Sequence, residues 1–296
     1  MAPLMAVLLK VSLVLFMAGN LLDMGLKLDP QEALRGLRNA RFVALTLLWG
    51  FVLGPAVAYG ITRVVPLEYP YAMGLILMGL TPCAPFLPAI AKKAGGDLGF
   101  TAAFMLLTAV GTVLFMPFAV PLLIEGLTVS AWTIAKPLLI VVLLPLAVGM
   151  VILRASPTLA AKVQPFVRNV TVFFTMAMAA LGITAYGKDL LGVAGSLAVA
   201  AQLVFFLVVT ALPYWLGFGL KHEQKIVLST GMATRNLGAA LAPLIAAPDM
   251  DQRAIVMVVL GLPIMFLFAT LAARRDGPVS TLNPGPPSPG DGNQRS

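Results

Sequence analysis

Two hydrophobic stretches of this chain are interrupted at their centres by residues that a plain membrane-spanning helix does not need. The first reads GLILMGLTPCAPFLPAIAKK at residues 74–93, and Pro82, Pro85 and Pro88 fall within seven residues of it. Proline has no backbone N–H and clashes with the preceding helical turn, so a helix opens where it stands. One proline gives an ordinary kink, whereas three this close predict a broken helix.

The second stretch reads KIVLSTGMATRNLGAALAPLIAA at residues 225–247, and polar residues and a charge interrupt it. Gly231 is followed by Thr234, Arg235 and Asn236. In lipid, the backbone groups that such a break frees must be satisfied by protein or by a water-filled cavity. Paired interrupted spans in the two halves of a membrane protein are the best sequence indication of a transporter's binding site. The sequence therefore predicts a transporter whose substrate site lies at these breaks.

The composition indicates that nearly the whole chain lies in a membrane. Of its 296 residues, 59% are hydrophobic and 11% are charged, whereas soluble domains carry about 25% charged residues. Residues 1–276 are predicted to form one polytopic transmembrane domain. The Pro-, Gly- and Ser-rich tail 277–296 is predicted to be disordered, because it cannot bury a core. The net charge of +8 does not indicate nucleic-acid binding, because the basic residues lie in short loops between apolar spans.

A membrane-crossing helix needs roughly 20 apolar residues. On that rule we predict an all-α integral membrane protein with about nine transmembrane helices, at residues 2–26, 42–64, 71–91, 98–124, 131–153, 165–186, 191–220, 225–247 and 254–273. The interrupted spans are the third and the eighth, and an offset of five reverses their direction across the membrane. This arrangement is typical of inverted-repeat transporters. Two five-helix repeats need ten spans, so the first repeat lacks its opening helix.

Basic residues divide unequally between the two sets of loops. Thirteen lie in alternate loops, namely Lys27, Arg35, Arg38, Arg41, Lys92, Lys93, Arg154, Lys162, Arg168, Lys221, Lys225, Arg274 and Arg275. Three lie in the opposite loops, namely Arg63, Lys188 and Arg253. Because cytoplasmic loops are rich in Lys and Arg, the sequence predicts a multi-pass protein of a plasma or inner membrane. Its N-terminus is predicted to lie outside and its C-terminal tail in the cytoplasm.

Arg235 is the sharpest single candidate for the substrate site. It lies near the middle of the eighth span, where a charge costs at least about 2.5–3.5 kcal/mol. One interpretation is a cation that faces a cavity and binds an anionic substrate through a bidentate carboxylate contact. The alternative is a structural arginine that caps carbonyls freed by the break or pairs with Asp23.

The other candidates for the substrate site flank the two breaks. They are Thr230, Gly231, Thr234 and Asn236 in the second stretch and Thr81, Pro82 and Cys83 in the first. Small residues let helices approach closely, and hydroxyl and amide groups supply hydrogen bonds, so helix packing alone is the alternative interpretation. Half-helix N-termini at the breaks would offer free N–H groups to an anion.

Asn20 and Asp23 in the first span complete the set of candidates. They are three residues apart and share a helix face, which favours a cavity-facing polar pair. Asp23 also lies near the cytoplasmic edge, where an interfacial carboxylate is the alternative. Cys83 is a candidate ligand for a soft ion through its thiolate, although lone membrane cysteines are mostly small packing residues.

Several classes of function have no sequence support. The chain has a single cysteine and a single histidine, His222, which argues against a disulfide, a multi-cysteine metal site and zinc. It contains no phosphate-binding loop, nucleophile elbow or paired-carboxylate cluster. We therefore predict that it is not an enzyme and has no cofactor other than a coupling ion, Na⁺ or H⁺. The expected partners are the lipid bilayer and a small anionic substrate, and a monomer is favoured.

Three motifs together resemble the bile acid:sodium symporter family. They are MGLKLDPQE at residues 24–32, the proline-rich break ending in AKKAGGD at 91–97, and GMATRNLGAALA at 231–242. The resemblance extends over residues 16–273. It implies a panel domain and a core domain, with two unwound helices that cross at the substrate site. A nine-helix form that lacks the first helix is a variant of this family.

The resemblance also shows where this chain departs from the family's sodium-binding pattern. Sodium-binding members carry a glutamate two residues before Gly-Met and a glutamine just after, where this chain has Ser229 and Ala233. A Ser-Asn pair of the family falls near Leu87 and Pro88. Hard cations need several oxygen ligands, so the resemblance implies poor sodium ligands at these positions. Substrate binding is therefore predicted not to require sodium there.

The leading prediction is a secondary transporter that moves a small organic anion, bile-acid-like or another carboxylate, by alternating access. Its driving ion is H⁺, Na⁺ at a rebuilt site, or none. One alternative keeps the fold and makes it an arsenite-type oxyanion efflux permease that uses Cys83. The other is a sodium symporter with a rebuilt ion site.

Overall fold

The computed structural model describes residues 3–124, 130–193, 197–246, 251 and 253–276, and the predicted tail 277–296 lies outside them. The helices of the described residues are α1 (Pro3–Gly25), α2 (Pro30–Leu37), α3 (Ala40–Leu47), α4 (Gly54–Val64), α5 (Tyr69–Gly79), α6 (Leu87–Lys93), α7 (Leu98–Leu123), α8 (Ala131–Leu138), α9 (Leu144–Ala155), α10 (Pro157–Val193), α11 (Leu197–Trp215), α12 (His222–Ala233), α13 (Leu237–Ala246) and α14 (Arg253–Asp276). Two π-helical segments, Leu48–Leu53 and Leu139–Leu143, join α3 to α4 and α8 to α9. These elements confirm the all-helical prediction.

Polar N-cap residues fix where several helices begin. Asp29 precedes Pro30, the first residue of α2, and its side chain accepts a hydrogen bond from the Gln31 N–H at 2.8 Å. Asp97 caps α7 in the same way and accepts from the Phe100 N–H at 2.8 Å. Such caps satisfy N–H groups that have no partner inside the helix, so they fix the first turn of both helices.

Six helical segments are long and apolar enough to cross a membrane. They are Val7–Gly25, Ala40–Val64, Leu98–Leu123, Ala131–Ala155, Leu197–Trp215 and Arg253–Arg274. Each corresponds to one of the nine predicted spans. The predicted sixth span lies within the long helix α10, and the third and eighth are each divided into two shorter helices. The count of nine stays a prediction, but both interruptions lie where the sequence placed them.

The helices pack in two groups along the described chain. In one group, α1 runs beside α9 and α10. In the other, α5 packs against α4 and α14, and α11 packs against α12 and α14. The outer surface is rich in large apolar side chains, among them Phe118, Trp132 and Phe166. This exposure suits a surface in contact with lipid rather than water.

Candidate functional site

The two broken spans cross each other through backbone hydrogen bonds. The Cys83 N–H donates to the Thr234 carbonyl at 2.9 Å, and the Asn236 N–H donates to the Thr81 carbonyl at 2.9 Å. The Ala84 N–H donates to the Thr234 hydroxyl at 3.2 Å. Each break therefore satisfies backbone groups that the other exposes, as burial in a membrane protein requires.

Pro82 and Arg235 face each other at the centre of this crossing. They form an isolated antiparallel bridge, the one bridge among the described residues. Pro82 cannot donate a hydrogen bond, so the bonds across the bridge come from the residues beside it. Cys83 follows with φ of 75°, in the left-handed region that residues with a side chain rarely adopt.

A cavity of about 150 Å³ opens beside the crossing, between the two groups of helices. Its polar lining residues are Asn20, Thr175, Arg235 and Asn236. Most of the remaining wall is apolar and comes from α1, α10, α14 and the crossing, namely Phe16, Met17, Leu21, Ala84, Pro85, Phe86, Met178, Leu237, Gly238, Leu262, Met265 and Phe266. Few polar groups among apolar walls are typical of a small-molecule site.

The N-terminus of α13 supplies backbone donors at this cavity. The Asn236 side chain caps the helix by accepting from the Ala239 N–H at 3.1 Å. Leu237 and Gly238, the first residues of α13, line the cavity. The first N–H groups of a helix have no intrahelical acceptor, and the helix dipole is positive at this end. This part of the wall therefore favours an anionic group.

The side chain of Arg235 is enclosed beside α5 and α11. The residue is 1% exposed, and Nη1 donates to the Gly79 carbonyl at 3.4 Å. Its Cζ lies 5.0 Å from the centroid of the Phe205 ring. The Nε and Nη2 atoms have no hydrogen-bond partner among the described residues. The backbone N–H donates to Met265 Sδ at 2.9 Å, on the cavity wall.

The structure brings Asn20, Arg235 and Asn236 to the cavity, and it places other candidates outside the wall. The hydroxyls of Thr81 and Thr230 donate back to their own helices, to Leu77 at 3.2 Å and Ile226 at 2.7 Å. Gly231, Thr234 and Pro82 belong to the crossing itself. The role of all these residues in substrate binding stays a prediction.

Cys83 and Asp23 also lie away from the cavity wall. Cys83 is 6% exposed, and its thiol contacts the Ala84 carbonyl at 3.6 Å. Asp23 accepts from Lys27 Nζ at 2.6 Å and from Gln164 Nε2 at 2.6 Å. Asp23 thus ties α1 to α10, and these partners take the place of the pairing with Arg235 that the sequence left open.

The positions that correspond to the family's sodium ligands hold few oxygen donors. The Ser229 hydroxyl donates to the Thr210 carbonyl at 2.7 Å, and so joins α12 to α11. Ala233 and Leu87 are buried apolar residues, and Pro88 follows Leu87 in α6. The geometry gives these positions no set of convergent side-chain oxygens.

Sequence reasoning missed several residues of this site. Thr175, Met265 and Phe266 line the cavity, and Gly79 and Phe205 surround the guanidinium. The chain has 15 Met and 16 Phe residues spread among its apolar spans, so no pattern distinguished Met265, Phe266 and Phe205. Thr175 is the one of these residues that the sequence could have indicated, because its hydroxyl lies within a predicted span.

Comparison with known proteins identifies the family of this chain. The sequence model of the Sodium Bile acid symporter family matches residues 13–193. The chain belongs to this family. Its members are transporters and not enzymes, so with six apolar helices the chain is a multi-pass integral membrane protein of a transporter family. The matched residues include the first broken span and end before Arg235.

Two plant proteins are similar to this chain. A "Probable sodium/metabolite cotransporter BASS2, chloroplastic" of Oryza sativa subsp. japonica is 26% identical over 240 residues, covering 77% of this chain and 57% of the relative. A "Probable sodium/metabolite cotransporter BASS3, chloroplastic" of Arabidopsis thaliana is 22% identical over 233 residues, covering 76% of this chain and 54% of the relative. The chain thus spans little more than half the length of these relatives.

Proposed function

We propose that this chain is a secondary transporter that moves a small organic anion across the membrane by alternating access. The observation that carries the proposal is the cavity at the crossing, which has apolar walls, the first amides of α13 and one buried arginine beside it. The helix end and the arginine both favour a negative group. Family membership and the two cotransporter relatives support transport of a small metabolite.

The size of the cavity narrows the class of substrate. About 150 Å³ holds a ligand roughly the size of benzene. A short-chain carboxylate fits this volume, whereas a steroid requires a much larger one. We infer that the substrate is a small carboxylate rather than a bile acid.

The two helix groups supply the moving parts of the proposed cycle. Residues of α1 and α10 form one wall of the cavity, and the crossing and α14 form the other. We infer that the first group is the panel domain and the second the core domain, and that rocking of one against the other exposes the cavity to alternate sides. Rigid-body motion around a fixed midplane site is the usual scheme for such transporters.

Exchange transport tests the proposal. The purified protein in proteoliposomes should exchange at least one labelled carboxylate of two to six carbons, and taurocholate should not compete. Thr175→Phe should lower the apparent affinity at least tenfold, because the ring fills the cavity. Thr184→Phe, on the exposed face of the same helix, is the matched control and should leave affinity unchanged. Failure of every small carboxylate to exchange would contradict the proposal.

The orientation in the membrane belongs to the same proposal. We infer that the loop between α1 and α3 faces the cytoplasm, because the basic residues favour that side. A second cavity of about 180 Å³ extends from Lys27, Asp29 and Glu32 to Pro85, which also lines the first cavity. The second cavity supports the inference that the substrate cavity opens toward the cytoplasm in this conformation.

Cysteine labelling tests that orientation in intact cells. The native Cys83 is buried and gives a low background. A membrane-impermeant maleimide should label Val64→Cys, which is 84% exposed at the end of α4. It should not label Arg38→Cys until the membrane is permeabilised. The reverse pattern would mean that the predicted orientation is wrong.

A further inference from the structure

The enclosed guanidinium of Arg235 has no acidic partner among the described residues. Elsewhere in the chain, salt bridges pair Lys27 with Asp23, and Arg253 with Glu68 and Asp251. A buried charge without a partner is costly. Two of the three guanidinium nitrogens also lack a hydrogen-bond partner among the described residues. A salt bridge with a described carboxylate is therefore not the reason that an arginine occupies this position.

The carbonyl that Arg235 contacts marks the C-terminal end of a helix. Gly79 is the last residue of α5, and its carbonyl accepts from Nη1 at 3.4 Å. The other half-helix at the crossing, α12, ends at Ala233, two residues before Arg235. Helix C-terminal ends carry partial negative charge from unpaired carbonyls. In transporters with broken helices, such ends hold the coupling cation.

Beside the guanidinium, the backbones of α4 and α5 pack closely against each other and leave little space. A Cβ on Gly79 would lie 2.7 Å from Ala58 Cβ, so α4 and α5 are in near contact there. A Cβ on Gly54 would lie 2.8 Å from the Trp49 carbonyl oxygen and 3.8 Å from Arg235 Nη1. Gly54 begins α4 directly after the π-helical segment Leu48–Leu53, and π-helical turns occur frequently at functional sites.

Arg235 also connects this enclosed position to the substrate cavity. The residue lines the cavity, while its side chain extends to Gly79 and Phe205. A charge held there acts on an anion in the cavity through a medium of low dielectric constant, where electrostatic attraction is strong. The guanidinium is thus placed to balance a bound carboxylate while it stays attached to the protein.

We propose that the guanidinium of Arg235 is a resident cation that takes the place of a transported sodium ion. The inference rests on the proposed transport of an organic anion and deepens it. A substrate carboxylate is then balanced by a charge that returns with the protein in every cycle. Exchange of substrate needs no sodium, and a sodium gradient cannot drive accumulation.

The first test uses the unmodified protein in proteoliposomes. Counterflow of a labelled small carboxylate is measured in choline buffer and in sodium buffer. We expect rates and apparent affinities that differ less than threefold. A stimulation of threefold or more by sodium would overturn the inference, because a mobile cation would still be required. Absence of exchange in both buffers would instead contradict the proposed transport function.

The second test separates charge from shape at position 235. Arg235→Met keeps much of the volume and removes the charge, so exchange in choline buffer should fall at least tenfold. Arg235→Lys keeps a charge and should exchange at least threefold faster than the Met variant. Arg38→Met, which removes an exposed arginine outside the site, is the control and should match the parent protein.

Two results of the second test would overturn the inference. One is exchange by Arg235→Met within threefold of the parent, which would show that no charge is needed. The other is equal loss in the Lys and Met variants, which would show that the charge is not the required property. If the Met variant does not fold, the Lys variant should still exchange without sodium, and a sodium requirement there would count against the proposal.

Discussion

The two broken spans meet at one crossing, but different residues interrupt them. Residues 80–86 separate α5 from α6 and include Pro82 and Pro85. Residues 234–236 separate α12 from α13 and include no proline, but they carry the charge of Arg235. Proline opens a helix by its covalent structure. The second break has no such cause in its own sequence, so its partner across the crossing must stabilise it.

This difference shows in the direction of the hydrogen bonds. Thr234 receives two bonds from the first span, one at its carbonyl and one at its hydroxyl. The first span thus provides two of the three donors at the crossing, and the second provides the third, the Asn236 N–H that donates to the Thr81 carbonyl. The second provides the polar side chains and the cation. The second break is therefore not explained by its own residues alone.

The test with the largest expected effect on stability replaces the Thr234 hydroxyl at the crossing. Thr234→Val leaves the N–H of the buried Ala84 without its acceptor, so we expect a loss of about 1–2 kcal/mol in the free energy of unfolding. Thr230→Val, four residues earlier in α12, is the matched control, because that hydroxyl bonds only within its own helix. Its expected loss is below about 0.5 kcal/mol. Thermal unfolding in detergent compares the two.

Equal midpoints for the two variants would contradict this interpretation. The Thr234 hydroxyl would then contribute no more than a bond inside its own helix, and the crossing would depend on backbone contacts alone. A loss confined to Thr234→Val would show that the second break needs its partner.

Both breaks could be located from the sequence, because each contains residue types that are rare in membrane-spanning helices. Proline in the first and a charge in the second stand out against apolar residues, and the length of the apolar runs gives the other spans. The crossing bonds could not be predicted, because they join residues about 150 positions apart. They depend on which side of each broken helix faces the other, and hydropathy carries no information about that.

Side-chain direction was the second limit of sequence reasoning. Asn20 and Asp23 share a helix face by spacing, yet Asn20 lines the cavity while Asp23 pairs with Lys27 and Gln164 near the end of α1. Arg235 was placed correctly within its span. Whether its guanidinium extends toward the cavity or away from it depends on the space beside Gly54 and Gly79, which only the packed structure defines.

The test with the smallest expected effect on stability concerns the backbone at Cys83 in the first break. Cys83 has φ of 75°, and a residue with a Cβ pays roughly 1–2 kcal/mol in the left-handed region, whereas glycine does not. We therefore expect Cys83→Gly to be more stable than Cys83→Ala by about 1 kcal/mol. At Ala240, in the helical part of the second span, Ala240→Gly should instead destabilise by about 1 kcal/mol. Thermal unfolding of the three variants measures this reversal of sign. If Cys83→Ala is the more stable of the pair, the strain in the first break is absent, and the two breaks differ in their prolines and their charge but not in backbone strain.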